Sequence, residues 1–211
     1  MGAHDQDVQA FFRQWSQTYD DAQLQDRVYL PLQEQIVRRL QWLRPSLKPL
    51  DRILDVGVGT GQSLAALRAL VPAVLGLDPS TDMLRRARER LPEGCGVMRA
   101  TAEHVPLRDA SVDACVSCFS IHWWPDVEAG LREMHRVLRP HGVALIMIPT
   151  TSLLGLQSMS VGWRHPAQLT HWKPPSWYAR QAQAAGLTTR LPREVARGAW
   201  LLEARRGDGG P

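Results

Sequence analysis

From Arg52 onward, short apolar runs of strand length alternate with amphipathic segments of helix length, and this alternation restricts the fold more than any single motif. Strands are predicted at 52–56, 73–77, 95–99, 112–118 and 142–148. Helices are predicted at 61–70, 81–91 and 126–138, with a shorter irregular link after the third strand. Such an alternation is the pattern of a parallel sheet covered on both faces. Two further β-like runs, 187–192 and 198–204, close the chain. Only a few residues around Arg197 and Gly198 separate them, too few for a crossover, so they are expected to pair antiparallel.

Ahead of the first strand, apolar residues recur at helical spacing over 6–18 (Val8, Phe11, Phe12, Trp15) and 28–43 (Leu32, Ile36, Leu40, Leu43). Pro31 suits the first turn of the second helix, which ends before Pro45. Residues 149–173 are rich in Trp, His, Ser and Gly without a clear period, and a helix is expected at 175–185. At 211 residues, 44% of them hydrophobic, the chain can bury one substantial core. The expected organisation is a single domain: N-terminal helices over 1–50, the α/β body over 51–206, and a disordered tail over 207–211.

The net charge is +4, but the arginines are scattered and only Lys48 and Lys173 are lysines, which argues against a nucleic-acid or membrane patch. No apolar run approaches the roughly 20 residues needed to span a bilayer, and Met1 to Asp5 does not read as a signal. Gln6 stands where a myristoylation motif beginning at Gly2 wants Ser or Thr. Three irregularly spaced cysteines form no disulfide framework, so a cytoplasmic, reducing setting is expected.

The stretch Ile53-Leu54-Asp55-Val56-Gly57-Val58-Gly59-Thr60-Gly61 puts three glycines between a buried strand and a helix start. Glycine permits positive φ and lets a ligand touch bare backbone, and free amides at the helix start could face an anionic group. Asp78 ends the second strand at about the distance where nucleotide-binding folds place an acid against ribose hydroxyls. The alternative is that Asp78 merely caps the helix beyond Ser80 and Thr81.

These segments together resemble the class I S-adenosylmethionine-dependent methyltransferases, in the broad group that includes the ubiquinone and menaquinone biosynthesis methylases. Trp15 to Asp20 resembles that group's N-terminal Trp-Ala-x-x-Tyr-Asp segment, and Asp78 to Leu84 its Asp-x-Ser-x-x-Met-Leu segment. Ala102 to Leu107, then Ser111-Val112-Asp113, resemble its Ala-Glu-x-Leu-Pro run and fourth strand; Leu131 to Gly142 is similar to its next helix and turn. The likeness covers roughly residues 10–148. It implies a Rossmann-like, doubly wound, mostly parallel seven-stranded sheet with an antiparallel last strand.

The resemblance implies S-adenosylmethionine as cofactor. Gly57, Gly59 and Gly61 would lie against its methionine part, Asp78 would bind the ribose hydroxyls and Met83 would pack on adenine. Ala102 would meet the adenine edge, and Tyr19 would close over the site. Asp55, Val58, Pro79, Glu103 and Ser117 complete the implied cofactor-binding set. Thr101 departs from the pattern, since many relatives carry there an Asp that accepts from the adenine amino group. Threonine accepts more weakly than a carboxylate.

Methyl transfer from a sulfonium is an in-line displacement, so alignment and exclusion of water count for more than a catalytic dyad. Ligands of doubly wound sheets bind beyond the carboxyl ends of the strands, which directs attention to Ser117 through Trp124. His122 is the candidate catalytic residue there, to accept a proton or orient an acceptor. A structural histidine beside Trp123 and Trp124 is the alternative, and it is the reading the local sequence favours. Cys115 and Cys118 lie on a strand expected to be buried, with no second pair nearby, so no metal site is expected. Trp163, Trp172 and Trp177, with His165 and His171, either shape a substrate wall or lid or simply cover the sheet.

Cys118-Phe119-Ser120-Ile121 lacks the Asn- or Asp-Pro-Pro-aromatic segment of nucleic-acid amino-methylases, which leaves small-molecule or lipid-like acceptors as the expected partners. A nicotinamide dehydrogenase would prefer Gly-x-Gly-x-x-Gly. A non-catalytic, cofactor-binding assembly protein of the same fold is the main alternative, because fold does not fix function.

Overall fold

A computed structural model describes residues 29–47, 49–150 and 173–208. Its elements, in chain order, are α1 (Leu30–Leu43), β1 (Arg52–Val56), α2 (Leu64–Arg68), β2 (Ala73–Asp78), α3 (Thr81–Glu89), β3 (Cys95–Arg99) and β4 (Val112–Cys118). There follow α4 (Val127–Val137), β5 (Leu138–Pro149), α5 (Pro175–Ala184), β6 (Leu187–Thr189), β7 (Arg193–Ala196) and β8 (Ala199–Arg206). The sheet order is β3-β2-β1-β4-β5-β8-β6, with β7 also paired to β8. Strands β1 to β5 are mutually parallel, while β8 runs antiparallel to β5, β6 and β7.

The chain leaves β1 toward β2 and β3, then returns on the other side to β4. The gap between the carboxyl ends of β1 and β4 is therefore the topological switch point, the place where open α/β sheets bind ligands.

Nearly every residue of the central strands is apolar, yet neighbours along a strand point to opposite faces and feed separate cores. Ile53, Ala114, Val116, Val143, Leu145, Met147 and Leu201 join Leu32, Ile36, Leu40 and Leu43 of α1 and Leu64 and Leu67 of α2. Leu54, Val56, Cys115, Ala144, Ile146, Ile148, Leu202 and Ala204 join Leu131, Met134 and Val137 of α4 and Tyr178, Ala179 and Ala182 of α5. This parity split is what makes the sheet double-sided. An ion pair ties α1 across the first core to the sheet: Arg39 on α1 meets the buried Glu203 of β8 at 2.5 Å.

Two expectations need correction. Helix α2 begins at Leu64 rather than at residue 61, because Gly61 has φ +81° and ends a turn in which its amide donates to the Val58 carbonyl at 3.0 Å. The amides read from sequence as a helix start belong instead to that turn. The run 187–192 is likewise not one strand: β6 pairs Thr189 with Ala204, and pairing resumes only where Arg193 meets Leu201. Pro192 has no amide to donate, so the outermost strand is broken in two and the expected seven strands become eight.

At the amino end of the sheet, the buried Asp113 carboxylate accepts from the amides of Asp51 and Arg52, both at 2.8 Å, and from the Arg139 guanidinium at 2.6 Å. It staples β4 to the entry of β1. The expected helix at 6–18 and the Trp/His-rich segment over 151–172 lie outside the described residues, as does the tail beyond Asp208. Trp177 lies on α5, edge-on to Tyr178 with ring centroids 5.1 Å apart. Among the described residues no helix is long and apolar enough to cross a membrane.

Candidate functional site

The turn after β1 is built from three glycines with left-handed backbone: Gly57 at φ +80°, Gly59 at +56° and Gly61 at +81°. Their surroundings differ. A Cβ on Gly57 would lie 2.2 Å from the Ser120 Cβ, and one on Gly61 would lie 3.1 Å from the Ala87 Cβ on α3, so both positions are packed by the protein itself. A Cβ on Gly59 would meet nothing within 4 Å. Gly59 is thus the open face of the turn, where bare backbone is available to a ligand.

Asp78, at the end of β2, accepts from the Gly59 amide at 3.0 Å through one oxygen and from the Ser80 amide at 2.8 Å through the other. The helix cap that sequence offered as its alternative role belongs to Ser80, whose hydroxyl accepts from the Met83 amide. Burial pushes the Asp78 carboxyl up to about 6, against the pull of the Ser80 and Gly59 amides. Asp55, on β1 beneath the same turn, is pushed up to about 6 by burial; a hydrogen bond from the Ser63 hydroxyl opposes the rise and the Asp78 charge adds to it. Two buried carboxyls with spare acceptor capacity therefore underlie a turn that is open at Gly59.

Val58 is buried against Gly76 of β2, where a Cβ would come within 2.8 Å of the valine. Met83 and Ala102 are buried, and Thr101 is exposed. Glu103 accepts from the Asp126 amide at 3.2 Å, and Glu133 on α4 accepts from the Val105 amide at 2.8 Å. Arg136 bonds Glu133 and the carbonyls of Val105 and Leu107. The loop carrying Thr101, Ala102 and Glu103 is thereby bolted to α4. The Pro79 carbonyl accepts from Arg99 at 3.3 Å.

Beyond β4, Phe119 takes a left-handed φ of +55°, rare for a bulky residue, and its ring meets Tyr29 edge-on with centroids 5.2 Å apart. Ser117 is fully buried, and its hydroxyl lies 2.7 Å from that of Ser120. Ser120 also donates to the Val56 carbonyl at 2.8 Å and accepts from the Trp124 indole at 3.2 Å. His122 is buried in the short turn Ile121–Trp123, its ring 5.3 Å from that of Trp123. Sequence reasoning singled out the segment Ser117 through Trp124 but assigned site roles only to Ser117 and His122, not to Ser120 and Trp124, which join the turn after β1 to the end of β4. Tyr19 lies outside the described residues.

Cys115 and Cys118 feed opposite faces of β4, so they cannot share an ion. Burial raises both thiols above their usual range. Among the described residues no His, Cys, Asp and Glu group is disposed to hold a metal.

The family model described as "Methyltransferase domain" matches residues 54–146, which hold the glycine turn, Asp78 and the end of β4. The malonyl-[acyl-carrier protein] O-methyltransferase of Hamiltonella defensa is 31% identical over 140 residues, 66% of this chain and 53% of that protein. The 2-methyl-6-phytyl-1,4-hydroquinone methyltransferase 2 of Oryza sativa is 38% identical over 113 residues, 49% of this chain and 32% of its own length. The chain thus spans about half or less of the curated relatives' length. In fold it is similar to an S-adenosylmethionine-dependent methyltransferase from Aquifex aeolicus, with a TM-score of 0.72 at 19% identity, covering 92% of this chain and 98% of that one. It is also similar to a chain from the complex of the Haloferax volcanii Trm112 activator with a putative methyltransferase, with a TM-score of 0.76 at 19% identity, covering 93% and 98%. The glycine turn, Asp78 and the strands that flank them therefore lie within the stretch of this chain that matches a methyltransferase domain.

Proposed function

We propose that the chain transfers a methyl group from S-adenosylmethionine to a small-molecule or lipid-like acceptor that enters beyond the carboxyl end of β4. The observation that carries this reading is the pairing of the open Gly59 backbone with the buried Asp78 carboxylate at the switch point. The residues present fit the cofactor. Left-handed glycine backbone admits close approach of an amino-acid group, and two buried carboxyls suit cationic and hydroxyl groups. The named substrates of the relatives, a malonyl group on acyl-carrier protein and a phytyl hydroquinone, support the acceptor class.

When bound, the cofactor supplies a methyl group on a cationic sulfur, so the protein's task is binding, orientation and exclusion of water. Gly57, Val58, Gly59 and Gly61 hold the amino-acid part, with Asp55 beneath them. Asp78 takes the ribose hydroxyls. Pro79, Met83, Thr101, Ala102 and Glu103 line the adenine, and Ser117 closes the floor. By the resemblance, Tyr19 is the residue that would close over the cofactor. His122 orients the acceptor or accepts its proton.

Calorimetric titration with S-adenosylhomocysteine and with NAD, followed by a labelled methyl-transfer screen over quinone precursors, acyl thioesters, lipid head groups and small amines, tests this reading. Binding of the first ligand and not the second, with product formed from one acceptor class, is the expected result. No binding of S-adenosylhomocysteine at millimolar concentration overturns it.

A further inference from the structure

The Ser120 hydroxyl is saturated. It has one proton, given to the Val56 carbonyl, so the bonds to the Ser117 hydroxyl and the Trp124 indole are both accepted. Its Cβ also occupies the space beside Gly57 that any side chain there would need. The backbone delivers it through the left-handed Phe119, whose amide donates to the Met147 carbonyl at 3.2 Å and whose ring is held by Tyr29.

On the far side, the Trp124 ring continues the path. A Cβ on Gly130 of α4 would lie 2.6 Å from the Trp124 ring and 3.1 Å from the Ala102 Cβ, so indole, helix and loop are in close contact. An unbroken chain of contacts therefore runs from Val56 and Gly57 through Ser120 and Trp124 to Gly130 and Ala102. One end is the turn read as holding the amino-acid part of the ligand, and the other is the loop read as holding adenine.

We propose that Ser120 is a positioning residue that fixes the spacing between these two half-sites, so that one ligand spanning both is bound in a single geometry. This rests on the S-adenosylmethionine reading above. Loosening Ser120 then penalises a ligand that touches both halves far more than one that touches only the nucleoside half. A general loss of folding would penalise both alike.

The test is calorimetric titration of the full chain as wild type, Ser120→Ala, Trp124→Phe and the double variant, with S-adenosylhomocysteine and with 5′-methylthioadenosine, which lacks the amino-acid part. Ser120→Ala keeps the Cβ and removes the bonds; it is expected to weaken S-adenosylhomocysteine about tenfold and methylthioadenosine less than about twofold. Trp124→Phe keeps most of the ring and removes one donor, with an expected loss of roughly threefold for the spanning ligand only. The double variant should be no worse than Ser120→Ala, because the indole acts through that hydroxyl. Equal losses for both ligands, no loss for either, or full additivity in the double variant overturns the proposal. Should Ser120→Ala not fold, Trp124→Phe carries the same comparison. If the wild type binds neither ligand, the functional reading falls and this proposal with it; if the wild type binds both and Ser120→Ala is unchanged, only this proposal falls.

Discussion

The two ends of the central sheet each bury aspartate beside backbone amides, with opposite outcomes. At the amino end, Asp113 takes two amides and the Arg139 guanidinium, so its charge is compensated within the fold. At the carboxyl end, Asp78 takes two amides and Asp55 a hydroxyl, and burial pushes both carboxyls up to about 6. The bonds these two carboxyls accept come from neutral amides and a hydroxyl. The first arrangement is complete without a ligand. The second holds carboxylates whose charged form the protein alone disfavours, which leaves them fit to receive cationic or hydroxylated groups from outside.

Substitution should separate the two ends most sharply. Asp113→Ala strands two amides and a guanidinium and is expected to cost about 4 kcal/mol of stability in denaturant unfolding while leaving ligand affinity within about twofold. Asp78→Ala should do the reverse, weakening S-adenosylhomocysteine by about 100-fold with a much smaller change in stability. A similar balance of losses in both variants would erase the distinction between the ends.

The pH dependence sharpens it further. Folded carboxyls near 6 hold protons that the unfolded chain has released, so the stability of the ligand-free protein falls as pH rises from about 4 to about 6. The decline should reach about 3 kcal/mol for each of the two carboxyls in unfolding titrations, roughly halve in Asp55→Asn or Asp78→Asn, and persist in Asp113→Asn. Affinity for S-adenosylhomocysteine should rise over the same window as the carboxylates ionise. A flat profile in the wild type would remove the electrostatic half of the contrast.

The smallest effects concern left-handed backbone. Phe119→Gly relieves strain near the site but loses the Tyr29 contact, for a net cost of about 2 kcal/mol. Ala110→Gly, at φ +49° near the amino end, should gain about 0.5 kcal/mol in the same measurement, because no such ring is given up.

Much of the fold is legible because parallel strands and amphipathic helices leave different periods. The α1 stripe of Leu32, Ile36, Leu40 and Leu43 is the buried face the spacing predicts. The glycines of the turn are legible as well, although their differing neighbours are not: nothing local distinguishes Gly59, which faces open space, from Gly57, which faces a residue 63 positions later. The roles of Ser120 and Trp124 were illegible for the same reason, since Val56, which Ser120 bonds, and Gly130, which the indole packs against, lie on other elements. The early end of β6 also escaped notice, because Leu187 through Pro192 reads as a single β-like run until the missing proline amide is counted.

That interruption has a consequence for crowding. An outermost strand with an uninterrupted row of free amides and carbonyls is a template on which another chain's strand can add. Here the row is cut into pieces of three and four residues, with Arg190, Leu191 and Pro192 between them. An incoming strand finds no single uninterrupted strand to extend on this side, which disfavours growth of the sheet at its β8 flank.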